Sequence, residues 1–230
     1  MHKAFLVSSN TYFLSLAYQA DILKLSNHFS SIGFGQKVCL DCFDEDKAFV
    51  PTPEWKYSMM NVGWVKGDTV NLGIGQGYLV TTPMQLANYA SLLATKGEFA
   101  EPSLAIMDNQ KKSFKTWQDD GFDDSDWTKM HAALLDVIES DYGTARSIRD
   151  LKEFQVAGKS GTAELVSLDS KEAYQEVRTS ELLRDHSIII AFGPMPNPRY
   201  AVSVVIENGE SGGAVAGPVA IEVLKSLINE

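Results

Sequence analysis

From about Thr11 to Ser31, the apolar residues Phe13, Leu16, Ala17, Ala20, Leu23 and Phe29 recur at helical spacing. This pattern predicts one long helix, capped among Ser8, Ser9 and Asn10 and stopped by Gly33. Gly33 to Asp46 reads as a turn-rich, partly extended connection, and Pro51 and Pro53 punctuate the entry to Trp55. The run from Gly67 to Tyr78 is glycine-rich. Its GxGxG lacks the preceding strand and following helix of a phosphate-binding loop. Thr82, Pro83 and Gln85 then form a capping box for a helix carrying Leu86, Tyr89, Ala90 and Leu93, which ends at Gly97. Met107 to Asp126 is polar and loop-like. Its carboxylates Asp119, Asp120, Asp123, Asp124 and Asp126 lead into a helix that Ser125 caps and that bears Trp127, Met130, Leu134, Val137 and Ile138.

The last third changes period. Phe154–Gly158 and Thr162–Val166 predict strand on either side of Lys159-Ser160-Gly161. Ser187–Phe192 and Tyr200–Ile206 are β-branched runs joined by the proline-rich link Pro194–Arg199, which predicts a hairpin. Pro218 opens an apolar helix through Ile221, Val223, Leu224 and Leu227. Helices first and antiparallel strands afterwards give an α+β fold, a sheet flanked by helices. No repeat or linker divides residues 1–230, so they read as one domain.

Charge narrows the function classes. Lys+Arg 20 against Asp+Glu 30 leaves a net charge of −10, which opposes nucleic-acid binding and docking on anionic lipid. No apolar run approaches the roughly 18 to 20 residues of a membrane helix, and the stretch from Met1 to Val7 is too short for a signal peptide. The two cysteines, Cys39 and Cys42, form one CxxC without a second ligand pair. They read as small, semi-buried, unlinked side chains, with no metal and no cofactor expected.

Three short motifs stand in order: Ser8-Ser9-Asn10 before a helix, Asn71–Tyr78 before a capped helix, and Lys159-Ser160-Gly161-Thr162 on a strand. With Arg184-Asp185-His186 and Glu207-Asn208-Gly209 behind them, they resemble the transpeptidase domain of class B penicillin-binding proteins. The likeness is greatest to the elongation type, the peptidoglycan D,D-transpeptidases that build the side wall of rod-shaped cells. That resemblance implies the penicillin-binding-protein fold, which serine β-lactamases share. It implies that Ser8 relays a proton towards the leaving amine and that the Asn10 amide holds the substrate's peptide group. Lys159 would orient Ser8 and attract the donor peptide's terminal carboxylate, which the hydroxyls of Ser160 and Thr162 would bind. Gly161 would let backbone and ligand approach closely, and the Thr162 N–H would supply half of an oxyanion hole. His186 reads as a structural hydrogen-bonder. The implied partners are stem peptides, β-lactams and cell-wall elongation proteins, at the periplasmic face of the inner membrane.

The family's nucleophile lies in a Ser-x-x-Lys motif upstream of Ser-x-Asn, and no serine of the chain has lysine three residues on. The sequence therefore reads as an N-terminally truncated, partial transpeptidase domain, not acylated as it stands. Its run from Ala201 to Ile206 is expected to form an exposed sheet edge. The competing expectations are a peptide-binding scaffold without catalysis and a serine β-lactamase relative.

Overall fold

The chain begins with a short helix, α1 (His2–Leu6), and Ser9 then caps α2 (Asn10–Gln19) through its hydroxyl, which accepts from the Tyr12 N–H. The computed structural model describes residues 1–105, 114–117, 121–151, 153–165 and 181–229. The long helix predicted to Ser31 is two helices. Ala20 turns extended, and the Asp21 carboxylate accepts from the Lys24 N–H at 2.9 Å to start α3 (Ile22–Ser31). A capping carboxylate there outweighs the continuous apolar stripe, because it satisfies backbone donors that a helix start leaves open.

Thr52 and Pro53 open α4 (Pro53–Met60), and α5 (Lys66–Leu72) follows in the glycine-rich run, for which the sequence predicts no helix. The reason is Asp68. Its carboxylate accepts from the Val65 N–H at 2.8 Å and pairs at 2.6 Å with Lys56, which is buried, so the first turn is held in spite of Gly67. The capping box on α6 (Pro83–Ala94) is present as read from the sequence. Gln85 also donates to the carbonyls of Gln36 and Lys47, both at 2.8 Å, which fixes the preceding connections on the helix start. A two-stranded antiparallel ladder, β1 (Glu98–Ala100) with β2 (Phe114–Thr116), occupies part of the stretch read as loop. Asp119, Asp120 and Val166 lie outside the described residues.

The cysteines depart from expectation. Cys39 and Cys42 are joined in a disulfide, with Cα atoms 5.5 Å apart. Glu45 accepts from the N–H groups of Val38 and Cys39, and this closes the turn to a separation a disulfide spans. Sequence spacing shows neither carboxylate's role. Next to the bridge, Asp41 accepts from the Ser103 hydroxyl and from the Leu104 and Ala105 N–H groups, which hold its pKa below the usual carboxylate value. Because the closed loop is short, reduction of the bridge is expected to cost only about 2 kcal/mol. Urea unfolding with and without a thiol reductant measures this, and superimposable curves would contradict it.

Residues Met1–Ser8 and Asp124–Glu230 form one compact unit, and Ser9–Asp123 forms another. In the first of these, α7 (Asp124–Glu139) buries Trp127, His131, Ala133, Leu134, Val137 and Ile138 at helical spacing. Its start falls one residue before the predicted cap. Lys159-Ser160-Gly161 does not interrupt a strand but lies inside one, β3 (Ala157–Ala163), paired antiparallel to β4 (His186–Gly193). The predicted hairpin joins β4 to β5 (Tyr200–Ile206), in the order β3-β4-β5. In this sheet β5 is an edge strand, half-buried along its length. A π-helical turn, Gly212–Ala216, runs into α8 (Gly217–Asn229). Val137 and Ile138 of α7, Ile189 and Ala191 of β4, and Ala220, Ile221 and Leu224 of α8 share one core. Each large side chain in it gains about 1.5 to 3 kcal/mol by leaving water.

Candidate active site

Helix α1 ends just before Ser8, which takes φ +49. A β-carbon makes this left-handed conformation unfavourable, and a glycine would fit it better on backbone grounds alone. The surroundings hold it. His2 bonds Asp136 of α7 at 2.7 Å, Ala4 is buried, the Ser8 N–H reaches the Phe5 carbonyl, and the Leu6 carbonyl accepts from the Thr144 N–H. The serine hydroxyl is thereby turned towards β3.

There it meets Lys159. The lysine Nζ donates to Ser8 Oγ at 2.8 Å and to the Ser160 carbonyl at 2.7 Å. The separation lies inside the roughly 2.6 to 3.2 Å expected of a serine and lysine that exchange protons. Burial pushes the ammonium down from 10.5 to about 8, because the side chain lies largely out of water and its charged form loses hydration. Ser160, next on the strand, has its hydroxyl 2.8 Å from that of Thr144. Gly161 and Thr162 continue β3, both exposed, on the strand at the other edge of the sheet. Among the described residues beyond its chain neighbours, a β-carbon on Gly161 would come no nearer than 3.8 Å to any atom, so packing against them does not require glycine there. Asn10 is the exposed first residue of α2, in the Ser9–Asp123 unit. The structure thus brings together Ser8, Lys159 and Ser160.

His186 accepts the Asn208 N–H on Nδ1 at 3.0 Å, while the Asn208 amide donates to the carbonyls of Leu182 and Arg184. These bonds tie the end of β5 to the entry of β4, which is the structural role expected of the histidine.

Three contributors escape sequence reading. Gly212 lies against the backbone of β3 and β4, where a β-carbon would overlap the carbonyls of Ile188 and Gly161 and come within 2.9 Å of the Gly161 nitrogen. Gly213 is equally tight against the Thr144 carbonyl. The glycine pair ahead of a predicted helix was the available signal, but not what it packs on. Thr144 carries no motif at all.

A buried-stem lysine on an edge strand, bonded to a serine just past a helix end and next to a paired serine and threonine hydroxyl, can pass a proton and hold an anion. The sequence matches the profile described as penicillin binding protein transpeptidase domain over residues 1–225, and the chain belongs to that family. Among curated relatives, it is 38% identical over 222 residues to the peptidoglycan D,D-transpeptidase MrdA of Acinetobacter baumannii, covering 94% of this chain and 33% of that protein. To MrdA of Haemophilus influenzae it is 33% identical over 236 residues, covering 100% of this chain and 36% of that one. The chain therefore spans about a third of the length of these relatives. Among solved structures, it is similar to Pseudomonas aeruginosa PBP2 in complex with WCK 5153, at 35% identity and a TM-score of 0.82, over 100% of this chain and 47% of that one. It is also similar to Helicobacter pylori PBP2 in complex with MreC, at 30% identity and a TM-score of 0.83, over 99% of this chain and 40% of that one. The α+β penicillin-binding-protein fold expected from the sequence is the fold observed.

Proposed function

We propose that residues 1–230 supply the carboxylate-binding and proton-relay side of an elongation-type peptidoglycan D,D-transpeptidase. The observation that carries this reading is Lys159 Nζ, shared between Ser8 Oγ at 2.8 Å and the Ser160 carbonyl at 2.7 Å. In the complete reaction a serine nucleophile of a Ser-x-x-Lys motif attacks the donor stem peptide and expels its terminal residue as an amine. Ser8, accepting from Lys159, keeps its own proton free for that leaving amine. A lysine poised near 8 replaces the proton at little cost, since its pKa is close to the working pH. Before that, its charge and the hydroxyls of Ser160 and Thr162 hold the peptide's carboxylate, the Asn10 amide takes a substrate peptide group, and Gly161 leaves room for the extended ligand. The Thr162 N–H donates to the developing oxyanion. β-Lactams, which carry the same carboxylate beside a strained amide, occupy the site in place of the peptide.

Two further parts of the reading concern surroundings. The MreC complex of the similar H. pylori protein supports a cell-wall elongation partner for the whole protein. The Cys39–Cys42 disulfide supports the periplasmic side of the membrane, where such bridges persist. Among the described residues no helix is long and apolar enough to cross a membrane.

The test is non-covalent binding of benzylpenicillin and its methyl ester, followed by NMR on the side chain of Lys159. The acid is expected to bind more tightly than the ester, and the difference should fade as pH rises through about 8 and the ammonium is lost. Equal binding of acid and ester at pH 7 would overturn the reading. Stability should move the other way. The native lysine titrates below its unfolded value of 10.5, so between about 8 and 10.5 the unfolded chain holds more protons and unfolding becomes harder as pH rises.

A further inference from the structure

Thr144 bonds both Ser160 and the stretch of chain that leads into Ser8. Its N–H donates to the carbonyl of Leu6, two residues before Ser8, and its hydroxyl is 2.8 Å from Ser160 Oγ across sixteen residues of chain. Its backbone is pinned from every side. Gly143 donates to the Ser140 carbonyl at 2.9 Å, Ala145 donates to the Val137 carbonyl at 3.0 Å and is buried, and the Thr144 carbonyl lies against Gly213. The Gly213 carbonyl in turn accepts from the Ser147 hydroxyl at 3.0 Å. A β-branched side chain on so fixed a backbone has little rotamer freedom, so its hydroxyl is held on Ser160 before any ligand arrives.

We infer that Thr144 is a positioning residue for the carboxylate site, donating its hydroxyl proton to Ser160 Oγ so that the Ser160 proton is directed at the ligand. The argument is one of hydrogen-bond valence. A hydroxyl has one proton and two acceptor lone pairs. In the empty site either hydroxyl of the pair can be the donor. A carboxylate only accepts, so once it binds, Ser160 has to give its proton to the ligand, and the bond to Thr144 survives only if Thr144 donates. The threonine then polarises the serine and strengthens the bond it makes to the anion. Valine has the same shape without the proton, and serine keeps the proton without the methyl group.

This inference rests on the proposed carboxylate site, and the experiment separates the two. Affinity for benzylpenicillin and for its methyl ester is measured by NMR on the full chain, in wild type, Thr144→Val, Thr144→Ser, Ser160→Ala and the Thr144→Val/Ser160→Ala double variant. The expected result is about a three- to tenfold loss of affinity for the acid in Thr144→Val, as for one removed hydrogen bond. Ester binding should be unchanged, and Thr144→Ser should stay near wild type. The double variant should bind no worse than Ser160→Ala alone, because Thr144 acts only through that hydroxyl. A wild type that does not prefer acid to ester sinks the carboxylate site and this inference with it. A wild type that does, with Thr144→Val unchanged, overturns the inference alone. So does an additive loss in the double variant, or a Thr144→Val form that loses its fold, since the threonine would then be supporting the fold and not directing Ser160.

Discussion

Lys159→Ala is expected to cut acylation by labelled penicillin about 30- to 1000-fold when residues 1–230 are joined behind a Ser-x-x-Lys segment of one of the MrdA relatives. The substitution removes the donor to Ser8 and the charge facing the ligand carboxylate together. Losing charge-assisted contacts of this kind in a closed site typically costs about 2 to 4 kcal/mol. Ser160→Ala should cost less, because the charge of Lys159 stays. The 230-residue chain by itself, which has no serine with lysine three residues on, should show no covalent adduct by mass spectrometry. Full labelling in the Lys159→Ala fusion would show that this lysine takes no part in acylation.

Gly212→Ala should be strongly destabilising, at about 3 kcal/mol, the upper end for an added methyl group in a packed interior. The atoms its β-carbon would meet are the carbonyls of Ile188 and Gly161 and the Gly161 nitrogen. Backbone in a paired sheet cannot swing aside as a side-chain end does. Relief has to come from moving β3 at the residue beside Ser160, so ligand binding should fall along with stability. Gly67→Ala is the control. Among the described residues outside its own helical turn, nothing lies within 4 Å of its β-carbon in α5, and alanine there should leave stability unchanged or raise it slightly. Urea unfolding of both variants decides the matter, and a Gly212→Ala midpoint equal to wild type would show that the turn is not wedged against the sheet.

Local chemistry was legible where one or two neighbouring residues settle it. The Thr82–Gln85 box, the hairpin of β-branched runs around Pro194–Arg199 and the helix opened near Pro218 each depend on contacts within a few residues. The division of the first long helix was not legible by periodicity, since Asp21 competes with an apolar stripe that runs through it. Helix α5 was missed because what holds it, the buried Lys56–Asp68 pair, joins residues twelve apart whose charges read as surface. The disulfide was missed for a like reason. Spacing of C-x-x-C says nothing of whether the turn closes, and the Glu45 carboxylate closes it.

For the site, Ser8, Asn10, Lys159, Ser160, Gly161 and Thr162 were singled out through the resemblance of the ordered motifs to the penicillin-binding transpeptidases, since each motif is short and common when taken singly. That Ser8 and Lys159 meet across 151 positions is a property of α1 lying along α7 and of β3 pairing with β4. The same packing lowered the lysine to about 8, since desolvation depends on what surrounds a side chain and not on its neighbours in the chain. Residue identity set which chemistry was possible. Tertiary contacts alone selected Thr144 and Gly212, whose parts are played through a hydroxyl and a missing β-carbon against strands far away in sequence, where no local pattern can register them.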